Sequence, residues 1–340
     1  MQKLKNRISI RIPEEENLRP LCWKILLDYL PLQRSEWSEF LQKQRELYDN
    51  LVVDWVINSG PDEVEDHPLN PNPTSGWSQF FKDNEVLLQI DKDVRRLCPE
   101  IAFFQTPTEF PCVPLIRAGK DRSLQNRVAS VMLKSQDFKQ DRCGATNLVV
   151  SRKLAKEQYQ VIEGREAHWE VLERVLFVYS KMNPGVKYVQ GMNELIGPIY
   201  FVFASDVDVE WRKYAEADTF FCFQNLMSEI KDNFIKHLDS SSVGIEKQMN
   251  EMYNLLEIKD KDVHSHLTEL QILPQFFAFR WLSLLLSQEF LLPDLISIWD
   301  SLFADPKRYT FLLYVCLAML ITIRETLLEG DFGVCMKCLQ

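Results

Sequence analysis

The stretch Gln89-Ile90-Asp91-Lys92-Asp93-Val94-Arg95-Arg96-Leu97-Cys98-Pro99 reads as the end of a helix. Proline pushes the residue before it out of the α region, so a helix running from Gln79 has to stop by Cys98. Ile90, Asp93 and Arg96 stand three apart and neighbour one another along one side of that helix. Asp93 can therefore hold the Arg96 guanidinium, and Arg96, in the last turn, can project past the helix end. Taken alone, the segment reads first as helix stabilisation: an acid–base pair with its cation near the C-terminus contributes roughly 0.3 kcal/mol.

The same apolar period, cut by proline or polar turns, recurs along the chain. It predicts helices over 18–30, 36–56, 79–98, 168–181, 191–203, 215–237, 244–256, 260–270, 274–287, 293–303 and 307–329. No alternating strand pattern of useful length occurs. Eleven glycines in 340 residues is about 3%, under half the usual ~7%. Sheets joined by tight turns need more, because glycine supplies their positive φ values. The expectation is an all-α chain of two helical subdomains with no significant β-sheet. Residues 59–76 read as a turn-rich loop, and 105–166, polar and irregular with prolines at 107, 111 and 114, as a partly disordered insertion. Three segments follow: 1–104, 105–166 and 167–340. The chain stops at Cys338-Leu339-Gln340 with no cap or breaker, so one or two further helices are expected beyond it.

Composition excludes several functions. The charge sum is 39 − 49 = −10, which argues against nucleic acid, whose binding needs Lys and Arg to neutralise phosphates. Phe311–Ile323 is the longest apolar run and is too short to span a bilayer, so it reads as a buried core helix. The eight cysteines are scattered and no secretory signal opens the chain, which fits free thiols in a reducing compartment. Cys335 and Cys338 have metal-like spacing but no second pair nearby, and no metal is expected there. His264 and His266 are two apart on a helix and read as solvated. No P-loop, zincin, nucleophile-elbow or dinucleotide signature occurs.

A second segment stands out: Asn183-Pro184-Gly185-Val186-Lys187-Tyr188-Val189-Gln190-Gly191-Met192-Asn193. A tight turn leads to Tyr188-x-Gln190 and then a glycine, which lets another backbone approach. Gln190 would sit at a loop-to-helix junction with a free amide; alone, it reads first as a helix cap. Three of the eleven glycines, Gly185, Gly191 and Gly197, fall around it.

Together the two segments resemble the fingerprints of the TBC domain family, the GTPase-activating proteins for Rab GTPases: I-x-x-D-x-x-R as Ile90, Asp93 and Arg96, and Y-x-Q as Tyr188 and Gln190, followed by Gly191-Met192. Further stretches resemble the family in order: Arg19 with Trp23, Asp66-His67-Pro68-Leu69, Trp77 with Phe81 and Asp83, and Arg280-Trp281, Glu289-Phe290 and Trp299-Asp300. Leu97 and Cys98 stand where many members have threonine and an aromatic, and Lys187 where many have glycine.

The resemblance implies an arginine finger at Arg96 and a glutamine finger at Gln190, with Asp93, Ile90 and Tyr188 as support. It implies Arg19 and Asn193 as candidate contacts with the GTPase. No cofactor of its own is expected, since GTP and Mg²⁺ travel with the GTP-bound Rab partner. A cytoplasmic monomer is expected, transiently at endomembranes through that partner, with no direct membrane insertion. The alternative is a catalytically silent Rab-binding scaffold of the same fold.

Overall fold

The computed structural model describes residues 12, 18–59, 72, 75–119, 122–129, 165–234 and 244–340. The Asp66–Leu69 motif and 130–164 of the expected insertion lie outside them. Among the described residues the chain is helical, and the sole β feature is an isolated antiparallel bridge between Pro107 and Ala167. The chain forms two compact units, one of Gln33–Phe221 and one of Met1–Leu32 with Cys222–Gln340. Segments 1–104 and 167–340 each contribute to both.

The Gln33–Phe221 unit contains α1 (Trp37–Val52), which continues into a π-helical turn at Val53–Ile57, then α2 (Gly76–Val94) and α3 (Val113–Ala118). It also holds α4 (His168–Met182), α5 (Met192–Ala204) and α6 (Val209–Arg212). Ser75 starts α2 by accepting the Ser78 amide at 3.1 Å, which satisfies one otherwise orphaned N–H. α4 is the centre: every residue from Val171 to Ser180 is buried, and α2 and α5 pack against it. So continuous a run of buried residues makes α4 a core element, and the polar side chains it carries there lie inside as well. Its one buried arginine, Arg174, is fully compensated: it donates to Glu216 at 2.6 and 2.7 Å and also to Glu166, while Tyr48 donates to Glu216 at 2.7 Å.

In the other unit, the helix Leu18–Leu26 meets the helix Leu292–Ala304. The buried Asp300 carboxylate accepts from Arg19 Nε at 3.0 Å and Trp23 Nε1 at 2.8 Å. Trp23, Trp299 and Phe303 cluster around it with centroids 5.1–6.0 Å apart. Arg280 pairs bidentately with Glu289 at 2.6 and 3.0 Å. The separated R…W, R-W, E-F and W-D stretches of the sequence are thus two ion pairs and an aromatic core.

Three expected helices are broken. Residues 18–30 leave the helix at Leu26, with Asp28 left-handed at φ 54°. Residues 274–287 split into a 3₁₀ turn at Pro274–Phe276 and a short helix at Ala278–Ser283; Leu285 and Leu286 then turn left-handed, and the Leu285 carbonyl receives the buried Trp299 indole N–H at 2.9 Å. Residues 307–329 divide at Ile323 into Arg308–Thr322 and Arg324–Glu329. The β-branched Ile321-Thr322-Ile323 run propagates a helix poorly, and Arg324 is drawn to Asp260 and Asp262, each at 2.7 Å. The apolar run itself is amphipathic rather than buried throughout, with Tyr314 and Ile321 exposed. His264 and His266 are half-buried rather than solvated: His264 packs on Tyr253, and His266 Nε2 lies 2.9 Å from the Gly330 carbonyl.

Candidate functional site

Helix α2 ends at Val94, so Arg96 lies just past the helix rather than in its last turn. Two amide bonds of 3.3 Å, Arg96 to the Asp93 carbonyl and Leu97 to the Val94 carbonyl, carry the chain out, and Cys98 turns left-handed at φ 42°. Ile90 and Val94 are wholly buried and anchor this end of the helix. Leu97 is buried as well and fits the notch at Gly197, where an added Cβ would lie 2.8 Å from Leu97 Cδ2. Arg96, beside the buried Leu97, points outward with 64% of its side chain exposed.

Asp93 holds it there. The carboxylate is nearly buried; Oδ1 accepts Arg96 Nη2 at 2.5 Å and Oδ2 accepts the Tyr188 hydroxyl at 2.8 Å. Burial, and next the Asp93 charge, push the Tyr188 phenol far above its ordinary pKa, so it remains a donor. Asn193, expected as a partner contact, is 3% exposed and is used inside: its amide donates to the Asp93 carbonyl at 3.4 Å and to Glu194 at 3.0 Å. Burial raises the Glu194 carboxyl, with the Asn193 hydrogen bond opposing.

The segment bearing Gln190 is closed at both ends. Asn183 accepts the Lys187 amide at 2.7 Å at one end, and Val189 accepts the Met192 amide at 3.1 Å at the other. Gly191, at φ 102°, starts α5 in a conformation that glycine tolerates without strain. Gly197 serves close packing, but Gly185 has open space around it and its place in the cluster has no steric reason. Lys187 is itself left-handed at φ 59°. Gln190 is exposed, and its side chain makes no hydrogen bond within the described residues.

Ile90, Asp93, Arg96, Tyr188, Gln190 and Asn193 therefore belong to one constellation, while Arg19 lies in the other unit, bonded to Asp300. A cavity of about 520 Å³ in the same unit as the constellation is lined by none of these residues. Its polar walls include Tyr48 and Glu216, already bonded to each other, and His168, whose Nδ1 lies 2.7 Å from the Tyr200 hydroxyl. Among the described residues no group of His, Cys, Asp and Glu could hold a metal. Sequence reasoning did not find the bracing of Asn193 or the fit of Leu97 into Gly197; the glycine cluster was the one signal for the latter.

The Rab-GTPase-TBC domain model matches residues 147–328, a span that includes Tyr188 and Gln190 and begins after Arg96. The chain is 55% identical to TBC1 domain family member 13 of Mus musculus, over 100% of this chain and 89% of that protein; the Homo sapiens counterpart is 54% identical over the same shares. The crystal structure of the Ypt/Rab-GAP domain of Gyp1p superposes with a TM-score of 0.67 at 22% identity, covering 99% of this chain and 84% of that one, and so shares the fold. By the matched domain and by identity along its whole length, this chain belongs to the Rab-GTPase-TBC domain family.

Proposed function

We propose that this chain is a GTPase-activating protein for a Rab-family small GTPase, supplying Arg96 and Gln190 in trans to complete the partner's active site. GTP hydrolysis spreads negative charge over the transferring phosphoryl group and the leaving oxygen. An arginine is always protonated, planar and able to bond two oxygens, and a finger of this kind supplies about 10³–10⁵ in rate, or roughly 4–7 kcal/mol. Gln190 orients the attacking water with its amide. The nucleotide and Mg²⁺ belong to the partner, so the chain contributes side chains alone.

The observation that carries this reading is the Asp93 carboxylate. One buried group holds an exposed arginine on one oxygen and, through Tyr188, the segment of an exposed, unbonded glutamine on the other. Helix stabilisation alone would not join the carboxylate that holds an exposed arginine to a tyrosine 95 positions away. No helix among the described residues is long and apolar enough to cross a membrane. In this reading the chain acts as a monomer in vesicle trafficking, on the cytoplasmic side of endomembranes, where the Rab partner brings it.

The test is single-turnover hydrolysis by a panel of GTP-loaded Rab proteins. The wild-type chain accelerates at least one, and Arg96→Ala and Gln190→Ala each remove most of the acceleration with the fold intact. Binding without acceleration across the panel would establish the silent scaffold instead.

A further inference from the structure

Two arginines stand in tandem at the end of α2, and the structure treats them differently. The Arg95 side chain is 32% exposed, against 64% for Arg96. Arg95 Nε donates to Asp91 Oδ1 at 2.8 Å, and its guanidinium lies 4.0 Å from the centre of the Trp169 ring. Its carbonyl accepts from Gln105 Nε2 at 3.1 Å. Asp91 and Trp169 are themselves buried, on α2 and α4, and Gln105 belongs to the 3₁₀ turn at Phe103–Gln105.

We propose that Arg95 is a positioning residue for the finger: clamped to Asp91, Trp169 and Gln105, it fixes the turn leaving α2 so that the next side chain, Arg96, is aimed at the GTPase. This inference rests on the finger role of Arg96. The need for a clamp is visible in the backbone, where the amides of Arg96 and Leu97 make long bonds of 3.3 Å and Cys98 is already left-handed. A segment held so loosely would let the finger wander, and a misplacement of about 1 Å can cost on the order of 100-fold in rate. Glu173 beside Asp91 is buried with one carboxyl oxygen unbonded, and burial followed by the Asp91 charge raises its pKa strongly.

The experiment measures kcat and KM for GTP-loaded Rab with Arg95→Ala, Arg95→Lys and Gln105→Leu, beside Arg96→Ala and a thermal melt of each. Arg95→Ala lowers kcat by roughly ten-fold with KM changed by less than about two-fold. Arg95→Lys keeps the ion pair and recovers part of the loss. Gln105→Leu leaves the guanidinium untouched, removes the carbonyl anchor and lowers kcat in the same direction, which serves if Arg95→Ala does not fold. An unchanged kcat, or a raised KM alone, overturns the proposal, the latter by making Arg95 a docking contact. The two failures separate cleanly. Arg96→Ala at the wild-type rate defeats the finger itself, whereas an inactive Arg96→Ala with normal Arg95 and Gln105 variants defeats positioning alone.

Discussion

The Tyr188 hydroxyl donates to Asp93 Oδ2 at 2.8 Å, tying two residues 95 positions apart through the carboxylate whose other oxygen holds Arg96. Removing that hydroxyl leaves Asp93 buried with one oxygen unsatisfied. Tyr188→Phe is expected to cost about 2 kcal/mol in urea unfolding, the usual range for a bond to a charged group. It should also lower the stimulated GTPase rate about ten-fold, since both segments lose their common anchor. Combined with Arg96→Ala, the rate effects should be strongly non-additive, because the residues act as a unit. Additive losses would mean that the hydroxyl matters to stability only.

Lys187 sits at φ 59°, three residues before Gln190, in a conformation that costs a residue bearing a Cβ about 1 kcal/mol. Lys187→Gly removes that cost but adds freedom to the unfolded chain, so the two terms oppose each other. The expected net change in unfolding free energy is within about 0.5 kcal/mol of zero. Lys187→Val keeps the strain and worsens it through β-branching, and is expected to lose about 1–2 kcal/mol. Denaturation midpoints of the three proteins decide it; a valine variant as stable as the glycine one would show that the loop relaxes freely.

The finger segments were legible because their information is local. A spacing of three at the end of a helix brings Asp93 and Arg96 within reach, and glycine at 191 marks a backbone turn whatever surrounds it. The links between segments were not legible, because no periodicity encodes which tyrosine reaches Asp93 or which glycine receives Leu97. Helix ends were misplaced where tertiary partners outweighed propensity. Trp299 captures the Leu285 carbonyl, and Arg324 is held by acids from 62 and 64 positions away. Tandem arginines look alike in sequence, and only burial of Asp91 and Trp169 separates Arg95 from Arg96.

Gly197 offers a direct test of how Leu97 seats the finger. A Cβ there meets Leu97 Cδ2 at 2.8 Å and Cδ1 at 3.2 Å, so the leucine has to move. Overpacking costs about 1–3 kcal/mol, offset by roughly 1 kcal/mol of helix propensity gained on α5. Gly197→Ala is therefore expected to be destabilised by only about 1 kcal/mol, yet to lose several-fold in stimulated GTPase rate because Leu97 adjoins Arg96. Leu97→Ala in the same chain should relieve the clash and shrink the rate loss caused by the alanine at 197. A rate that follows stability alone in all three variants would argue that Leu97 does not transmit its position.

Glu170, on α4, makes stability depend on pH. Burial pushes its carboxyl from the ordinary 4.5 up to about 7; the Glu166 charge raises it further, while the Ala167 amide, Arg174 and Arg95 oppose. The folded chain thus holds more protons than the unfolded chain between about pH 4.5 and 7, and unfolding free energy falls as pH rises through that window. Taken fully, a shift from 4.5 to about 7 amounts to about 3 kcal/mol, present at pH 4.5 and lost by pH 7.5. Glu173, also raised by burial, acts in the same direction, so a single substitution removes part of the slope. Glu170→Gln cannot ionise and should be more stable than wild type at pH 7.5, with the difference fading toward pH 5. Urea unfolding of both proteins at the two pH values measures this. Equal stability at both would place the Glu170 carboxyl in water, charged at neutral pH.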